Sequence, residues 1–286
     1  LGELRTKAVH VRSGSELITD APIDNKGKGE KFSPTDLVAT ALGSCMMTII
    51  AQSSDAHNFD VVLIPLAASN AQGSYRFFSH LQGKYRIFMG THATALADYI
   101  LQQGYCDIIV RGEPEYTTLE TIQNLSNLNG VLGVSYIKDG QIIKNPDRPL
   151  IEDLDALPFP ARDLVDNYKY HIVLFPNKPI AMVLTSRGCP FECTFCATHL
   201  FYKRSRNVRS PENVVQEVEE IVKTYGINHI FFIDDTFTIG EERIILLCRL
   251  LQEKKLGIKW ICLGRVDTVT EPMLHAMKEA GCKEII

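Results

Sequence analysis

Three of the eight cysteines in this 286-residue chain fall within eight residues, at Cys189, Cys193 and Cys196. The spacing Cys-x3-Cys-x2-Cys brings three thiolates round one loop and leaves a fourth coordination position without an obvious local ligand. A structural zinc site is normally closed by four protein ligands, whereas a 4Fe-4S cluster held by three cysteines keeps one iron open. The spacing therefore favours a cluster with an open iron, and a zinc site completed by His199 is the alternative.

Residues 186–196 resemble the signature of the radical S-adenosylmethionine (radical SAM) enzymes, in which an aromatic residue such as Phe195 precedes the last cysteine. The resemblance implies a 4Fe-4S cluster on the three cysteines, with Phe195 beside the cofactor. It implies that SAM chelates the open iron through its methionyl amine and carboxylate, and that one electron then cleaves it to a 5′-deoxyadenosyl radical. The protein would contribute orientation, electrostatics and exclusion of solvent.

Strand-like and helix-like segments alternate around this loop. Apolar runs predict strands at 181–185, 229–233 and 259–263 and the start of a fourth at 283–286. Helices are expected to begin at Ser210, at a Thr238-x-x-Glu241 capping box, and at Thr270. Such repetition builds a (β/α) barrel. The predicted fold class is therefore α/β, and residues 181–286 are expected to form the first half of a barrel of the radical SAM type.

Polar residues follow the second and third of these strands. In a (β/α) barrel, functional residues gather where the strands end. The radical SAM resemblance implies that Asp234, Asp235 and Thr236 contact the methionyl amine of the cofactor, because a carboxylate binds an ammonium group well. Arg265 is a candidate for the cofactor carboxylate. The alternative is that these residues only turn the chain and cap the next helix.

Residues 61–145 also alternate between strands and helices. Strands are expected at 61–64, 85–89 and 107–110, helices at 95–103 and 116–127, and a hairpin round Asp139 and Gly140, while 67–83 shows no period and is expected to be a loop. Such alternation predicts a parallel, Rossmann-like sheet with ligands beyond the strand ends. Residues 90–96 and 107–115 resemble the later half of the cobalamin-binding domain that precedes many radical SAM enzymes. Gly90, Thr91 and His92 are the candidate cofactor contacts, His92 as a loop or phosphate contact.

Residues 146–180 are rich in proline and are expected to form a linker.

Residues 1–60 differ from the rest of the chain. The run from Thr19 to Cys45 resembles the start of the OsmC-like peroxide-resistance family, which implies an α+β fragment. In that family the cysteine matching Cys45 is the peroxidatic thiol, whereas a lone cysteine on an apolar helix face is more often a small core residue. A thiol peroxidase using Cys45 and an inactive fused and truncated fragment are therefore the alternative functions.

Composition limits the partners. The net charge of −4 argues against a dedicated nucleic-acid surface, and the dense basic run from Lys203 to Arg209 is expected to be a solvated or anion-contacting loop. No apolar run is long enough for a membrane span, and no signal peptide is evident, so a cytoplasmic protein with reduced thiols is expected.

The predicted function, which the two resemblances imply, is a cobalamin-associated radical SAM enzyme that methylates or otherwise modifies a small-molecule substrate, with a reducing protein as electron donor.

Overall fold

The computed structural model describes residues 6–9, 16–19, 61–66, 71–78, 85–172, 174–175, 177–194 and 196–286. Cys45 and Phe195 lie outside the described residues, as does most of the predicted OsmC-like fragment. The chain divides into two compact units, Leu1–Arg148 and Pro149–Ile286. This boundary falls inside the segment 146–180 that is expected to be a linker.

The first unit is built round a five-stranded sheet of order β3-β4-β5-β6-β7, and β1 pairs with β2 separately. Its described elements are β1 (Thr6–Val9), β2 (Glu16–Thr19), β3 (Val61–Pro65), α1 (Ala71–Phe78), β4 (Tyr85–Met89), α2 (Thr91–Ala95), α3 (Ala97–Gln102), β5 (Ile108–Val110), α4 (Pro114–Gln123), β6 (Val134–Lys138) and β7 (Gln141–Lys144).

Strands β3, β4 and β5 run parallel, as the alternation of strands and helices predicts. The hairpin of β6 and β7 then adds two antiparallel strands, and Asp139 and Gly140 make its tight turn with φ of 51° and 75°. The expectation of a loop over 67–83 is wrong, because α1 lies within it. Ala71, Ser74 and Tyr75 are buried at helical spacing, but the small and polar residues between them hide that period in the sequence.

The second unit is built round a four-stranded parallel sheet of order β13-β12-β11-β8. After 3-10 turns at Arg162–Leu164 and Asn167–Lys169, its described elements are β8 (Ala181–Val183), β9 (Ser186–Arg187), α5 (Thr198–Tyr202), β10 (Asn207–Val208), α6 (Pro211–Tyr225), β11 (His229–Phe232), α7 (Glu241–Glu253), β12 (Lys259–Cys262), α8 (Glu271–Glu279) and β13 (Cys282–Ile285).

One face of this sheet packs against α6, α7 and α8. Alternate strand residues such as Val183, Phe232 and Trp260 share a core with the apolar faces of these helices. Trp260 is fully buried, and its indole nitrogen donates to the carbonyl oxygen of Ala280 at 2.8 Å, so that its polar atom has a partner. The predicted α/β fold with strands and helices in regular alternation is confirmed for this unit.

The predicted capping box at Thr238 and Glu241 is wrong. The residue before α7 is Gly240, with φ of 85° and no side-chain cap. The Thr238 side chain is buried and instead contacts the hydroxyl of Thr268 at 2.6 Å. The caps at the other two helices are as predicted, since Ser210 Oγ accepts from the amide of Asn213 and Thr270 Oγ1 accepts from the amide of Met273. None of the described helices has the length and apolar character needed to cross a membrane.

Candidate cluster site and its relatives

The cysteine loop leaves the sheet at the end of β8 and is held at both ends by a short ladder. Ser186 and Arg187 of β9 pair antiparallel with Val208 and Asn207 of β10. Gly188 follows at once, with φ of 83°, and a Cβ on it would lie 2.2 Å from the carbonyl oxygen of Ser205. Both the backbone conformation and the close approach therefore require glycine at the entrance of the loop.

Asp234 fixes the start of this loop from the next strand. Its carboxylate is fully buried and accepts three hydrogen bonds of 2.6 Å, from the amide and the hydroxyl of Thr185 and from the hydroxyl of Ser186. Hydrogen bonds to an ionised group are among the stronger ones in proteins. Both carboxylate oxygens are thus engaged inside the protein, between the ends of β8 and β11.

The three thiols of the loop are half-buried, and each contacts a polar group. Cys189 Sγ lies 3.4 Å from Thr236 Oγ1, and Cys196 Sγ donates to Thr198 Oγ1 at 3.3 Å. Cys193 Sγ accepts a hydrogen bond of 3.0 Å from Arg265 Nη1. The cysteines and two strand ends predicted as site residues, those of β11 and β12, therefore meet at the same place.

Arg265 is held by contacts on several sides. Its Nε and Nη2 donate to the two carboxylate oxygens of Asp267 at 2.9 and 2.7 Å, and its guanidinium carbon lies 4.0 Å from the centre of the Phe191 ring. A guanidinium over an aromatic face is attracted to the ring. The bond to Asp267 raises the pKa of Arg265, and the Cys193 sulfur acts in the same direction.

Asp235 differs from its buried neighbour. It lies at the surface, but the protein round its carboxyl group displaces enough water to raise its pKa, and the charge of Asp234 adds to this. The backbone of Gly188 and the hydroxyl of Thr198 hydrogen-bond to it and oppose the rise. Of the predicted strand-end residues, Asp235 is the one with a carboxylate facing the loop and solvent.

Two half-buried arginines, Arg206 and Arg243, lie near the loop, and the sequence does not predict this placement. Arg243 Nη2 donates to the Thr185 carbonyl oxygen at 2.8 Å, and burial lowers the pKa of Arg243 to about 10. Burial also lowers the pKa of Arg206, while the nearby charges of Asp234 and Cys189 oppose this. Arg206 belongs to the basic run that the sequence predicts to be a solvated or anion-contacting loop. Its half-burial beside Cys189 could be foreseen only from the pairing of β9 with β10.

The donor chemistry of the loop fits an iron–sulfur cluster. A 4Fe-4S cluster takes each cysteine on a different iron, and thiolates are the ligands that such clusters use, so the three half-buried thiols of one loop suit it. His199, the fourth ligand in the zinc alternative, is exposed, and its Nδ1 lies 3.0 Å from the carbonyl oxygen of Cys196.

In the first unit the three predicted contacts follow β4. Gly90 has φ of 98°, and a Cβ on it would lie 2.8 Å from the carbonyl oxygen of Leu66, so the chain can cross the end of β3 only with glycine there. Thr91 is exposed. His92 Nε2 lies 2.7 Å from the hydroxyl of Tyr75, whose pKa burial raises to about 12.

Comparison with known proteins decides the family of the second unit. Residues 183–286, which begin in β8 and contain the cysteine loop, match the family described as the radical SAM superfamily.

This segment is a radical SAM domain.

Two curated relatives extend the similarity beyond the radical SAM domain. An uncharacterized methyltransferase of Pyrococcus horikoshii is 38% identical over 200 residues, which are 68% of this chain and 43% of that protein. The anaerobic magnesium-protoporphyrin IX monomethyl ester cyclase of Rubrivivax gelatinosus is 32% identical over 202 residues, which are 67% of this chain and 36% of that protein. The chain thus spans less than half of the length of either relative.

A solved structure agrees with the fold. The radical S-adenosylmethionine methyltransferase TsrM of Kitasatospora setae, with tryptophan and a SAM analogue bound, superposes with a TM-score of 0.64 and 14% sequence identity. The match covers 84% of this chain and 50% of that chain. At this identity the likeness concerns the fold alone, and it extends beyond the radical SAM domain.

Proposed function

We propose that this chain is part of a cobalamin-associated radical SAM enzyme that methylates, or otherwise modifies by radical chemistry, an unactivated carbon of a small molecule. The observation that carries the proposal is the cysteine loop itself. Its three thiols lie at the carboxyl ends of parallel strands, where a (β/α) fold collects its functional residues, and each thiol contacts a polar side chain.

Cys189, Cys193 and Cys196 would hold a 4Fe-4S cluster, which when bound supplies the electron for cleavage of SAM. The residues round it have separate tasks. Asp235 has the accessible carboxylate and is the residue we assign to the methionyl ammonium of SAM, whereas Asp234 orients the loop through Thr185 and Ser186. Thr236 and Phe195 complete the predicted cofactor contacts.

For the first unit, we propose cobalamin as the ligand at the carboxyl end of β4. The parallel strands β3 to β5 and the loop of Gly90, Thr91 and His92 have the arrangement in which open α/β sheets bind ligands. The His92 ring is already paired with Tyr75, which fits a role in the loop and not as a cobalt ligand. Two similar proteins are named methyltransferases, the relative from Pyrococcus horikoshii and TsrM of Kitasatospora setae. A second solved structure of TsrM contains cobalamin and a 4Fe-4S cluster.

The proposed cluster chemistry also bears on the electron donor and the cellular compartment. A cluster that must be reduced needs an electron donor, for which we propose a reducing protein. Reduced thiols and an iron–sulfur cluster suit the cytoplasm. The substrate class remains a small molecule or metabolite.

Anaerobic reconstitution with iron and sulfide tests the proposal. We expect about four irons and four sulfides per chain, as one 4Fe-4S cluster requires, and a brown chromophore that is lost in Cys193→Ala. Cys282→Ala is the matched control, because Cys282 is also half-buried but belongs to β13. A colourless protein that holds one zinc per chain, or a Cys193→Ala variant with full iron content, would contradict the proposal.

A further inference from the structure

Arg265, the candidate for the carboxylate of SAM, places its guanidinium against one of the three loop cysteines. Nη1 donates to Cys193 Sγ at 3.0 Å, while Nε and Nη2 are taken by Asp267. This contact joins residues that are 72 positions apart in the sequence, and it brings the end of β12 onto the cysteine loop.

The position of this guanidinium is fixed by contacts with the protein itself. Asp267 holds it in a bidentate pair, the ring of Phe191 covers one face, and the amide of Arg265 donates to Thr238 Oγ1 at 3.2 Å. A planar fork held in this way loses little conformational freedom when it donates its remaining hydrogen bond. The buried Thr238 therefore also belongs to this arrangement, since it anchors the backbone from which Arg265 projects.

The negative charge of Asp267 does not cancel the positive charge that Arg265 presents to the Cys193 sulfur. The Asp267 side chain is 54% exposed, against 32% for that of Arg265, so solvent screens the carboxylate more than the cation. The guanidinium stays protonated at any working pH, because an arginine side chain is not deprotonated in proteins. The sulfur of Cys193 thus faces a permanent positive donor.

We infer that Arg265 is a positioning residue that raises the reduction potential of the cluster on Cys189, Cys193 and Cys196 by donating a charged hydrogen bond to the Cys193 sulfur. The inference rests on the proposed function. Reduction adds one negative charge to the cluster and its thiolates, and a cation bonded to a ligand sulfur stabilises the reduced form more than the oxidised one. Hydrogen bonds to the sulfurs and local charge are established determinants of cluster potentials.

The test is an anaerobic redox titration of the reconstituted protein, followed by the electron paramagnetic resonance (EPR) signal of the reduced cluster. At the wild-type midpoint potential, we expect the ratio of reduced to oxidised cluster in Arg265→Gln to fall about tenfold, which for one electron is a negative shift of about 59 mV. Arg265→Lys keeps the charge but not the fork, and its shift should have the same sign and be smaller.

Arg249→Gln is the control. Arg249 is an exposed arginine on α7 that is also paired with a carboxylate, that of Glu253, and its loss should leave the midpoint unchanged. Iron and sulfide content measured on each sample separates two failures. A wild-type chain that takes up no cluster overturns the proposed function and this inference together, whereas fully loaded Arg265 variants with the wild-type midpoint overturn this inference alone. Loss of iron from both Arg265 variants at unchanged circular dichroism also overturns it, because Arg265 would then be needed to assemble the cluster and not to adjust its potential.

Discussion

The buried carboxylate of Asp234 accepts hydrogen bonds of 2.6 Å from both the amide and the hydroxyl of Thr185, and so ties the end of β11 to the end of β8. The first cysteine of the cluster loop comes only four residues after Thr185. The orientation of the loop therefore depends on a residue of the neighbouring strand.

Replacing Asp234 by asparagine should destabilise the second unit and loosen the cluster. The amide keeps the shape but removes the charge and one acceptor, and losing hydrogen bonds to a buried charged group costs about 2 kcal/mol. Urea denaturation of the apoprotein measures this change. Asp235→Asn should cost less, because Asp235 lies at the surface and the asparagine keeps an oxygen that can accept from Gly188 or Thr198. Equal stability of Asp234→Asn and wild type would refute the anchoring role.

Gly188→Ala should prevent assembly of the cluster. Its Cβ would lie 2.2 Å from the Ser205 carbonyl oxygen, in a backbone region that L residues rarely adopt. Gly257→Ala is the matched control, because Gly257 also has a positive φ, of 64°, but its Cβ would meet no atom within 4 Å. We expect Gly257→Ala to retain full iron content after reconstitution and Gly188→Ala to lose most of it. Similar iron content in the two variants would mean that the close approach at Gly188 does not shape the loop.

Glu219 joins α6 to α7 at the surface, and its contribution should depend on pH. Hydrogen bonds from Lys223 and Lys254 lower its pKa from 4.5 to about 2. A depressed carboxyl pKa contributes stability that is present above pH 4.5 and is lost as the pH falls towards 2. Glu219→Gln should therefore lower the melting temperature at pH 7, and the difference from wild type should vanish across that acidic window.

The measurement is thermal unfolding at several pH values and two salt concentrations. Because the two lysine partners are exposed, salt should shrink the difference at pH 7. Glu253→Gln, which removes an exposed pair within α7 alone, should have a smaller effect. A difference between Glu219→Gln and wild type that persists at pH 2 would contradict the assignment.

Much of the second unit is predictable because its strands are short apolar runs with clear helix signals between them. His229–Phe232 and Lys259–Cys262 form where apolar residues follow turn formers, and Ser210 and Thr270 cap the helices as local rules require. At Thr238 the sequence predicts the wrong helix cap. A Thr-x-x-Glu pattern cannot show that Gly240 takes the left-handed conformation or that the Thr238 side chain contacts Thr268 instead.

The sequence predicts which residues lie near the cysteine loop but not which residues they contact. The cysteine spacing predicts the cluster ligands, and the barrel pattern predicts that Asp234 and Arg265 follow strand ends. Their partners lie 49 and 72 residues away, at Thr185 and Cys193, and no local pattern encodes such pairings. Asp234 and Arg265 contact the cysteine loop directly, which the sequence pattern does not show, and Asp235 has the accessible carboxylate.

The most direct measurement is the EPR spectrum of the reconstituted, reduced chain recorded with and without SAM. An open iron on a cluster held by Cys189, Cys193 and Cys196 predicts a 4Fe-4S signal that changes when SAM binds and that is absent from Cys193→Ala. A cluster signal that SAM leaves unchanged, or a protein that binds zinc and gives no signal, would contradict the account.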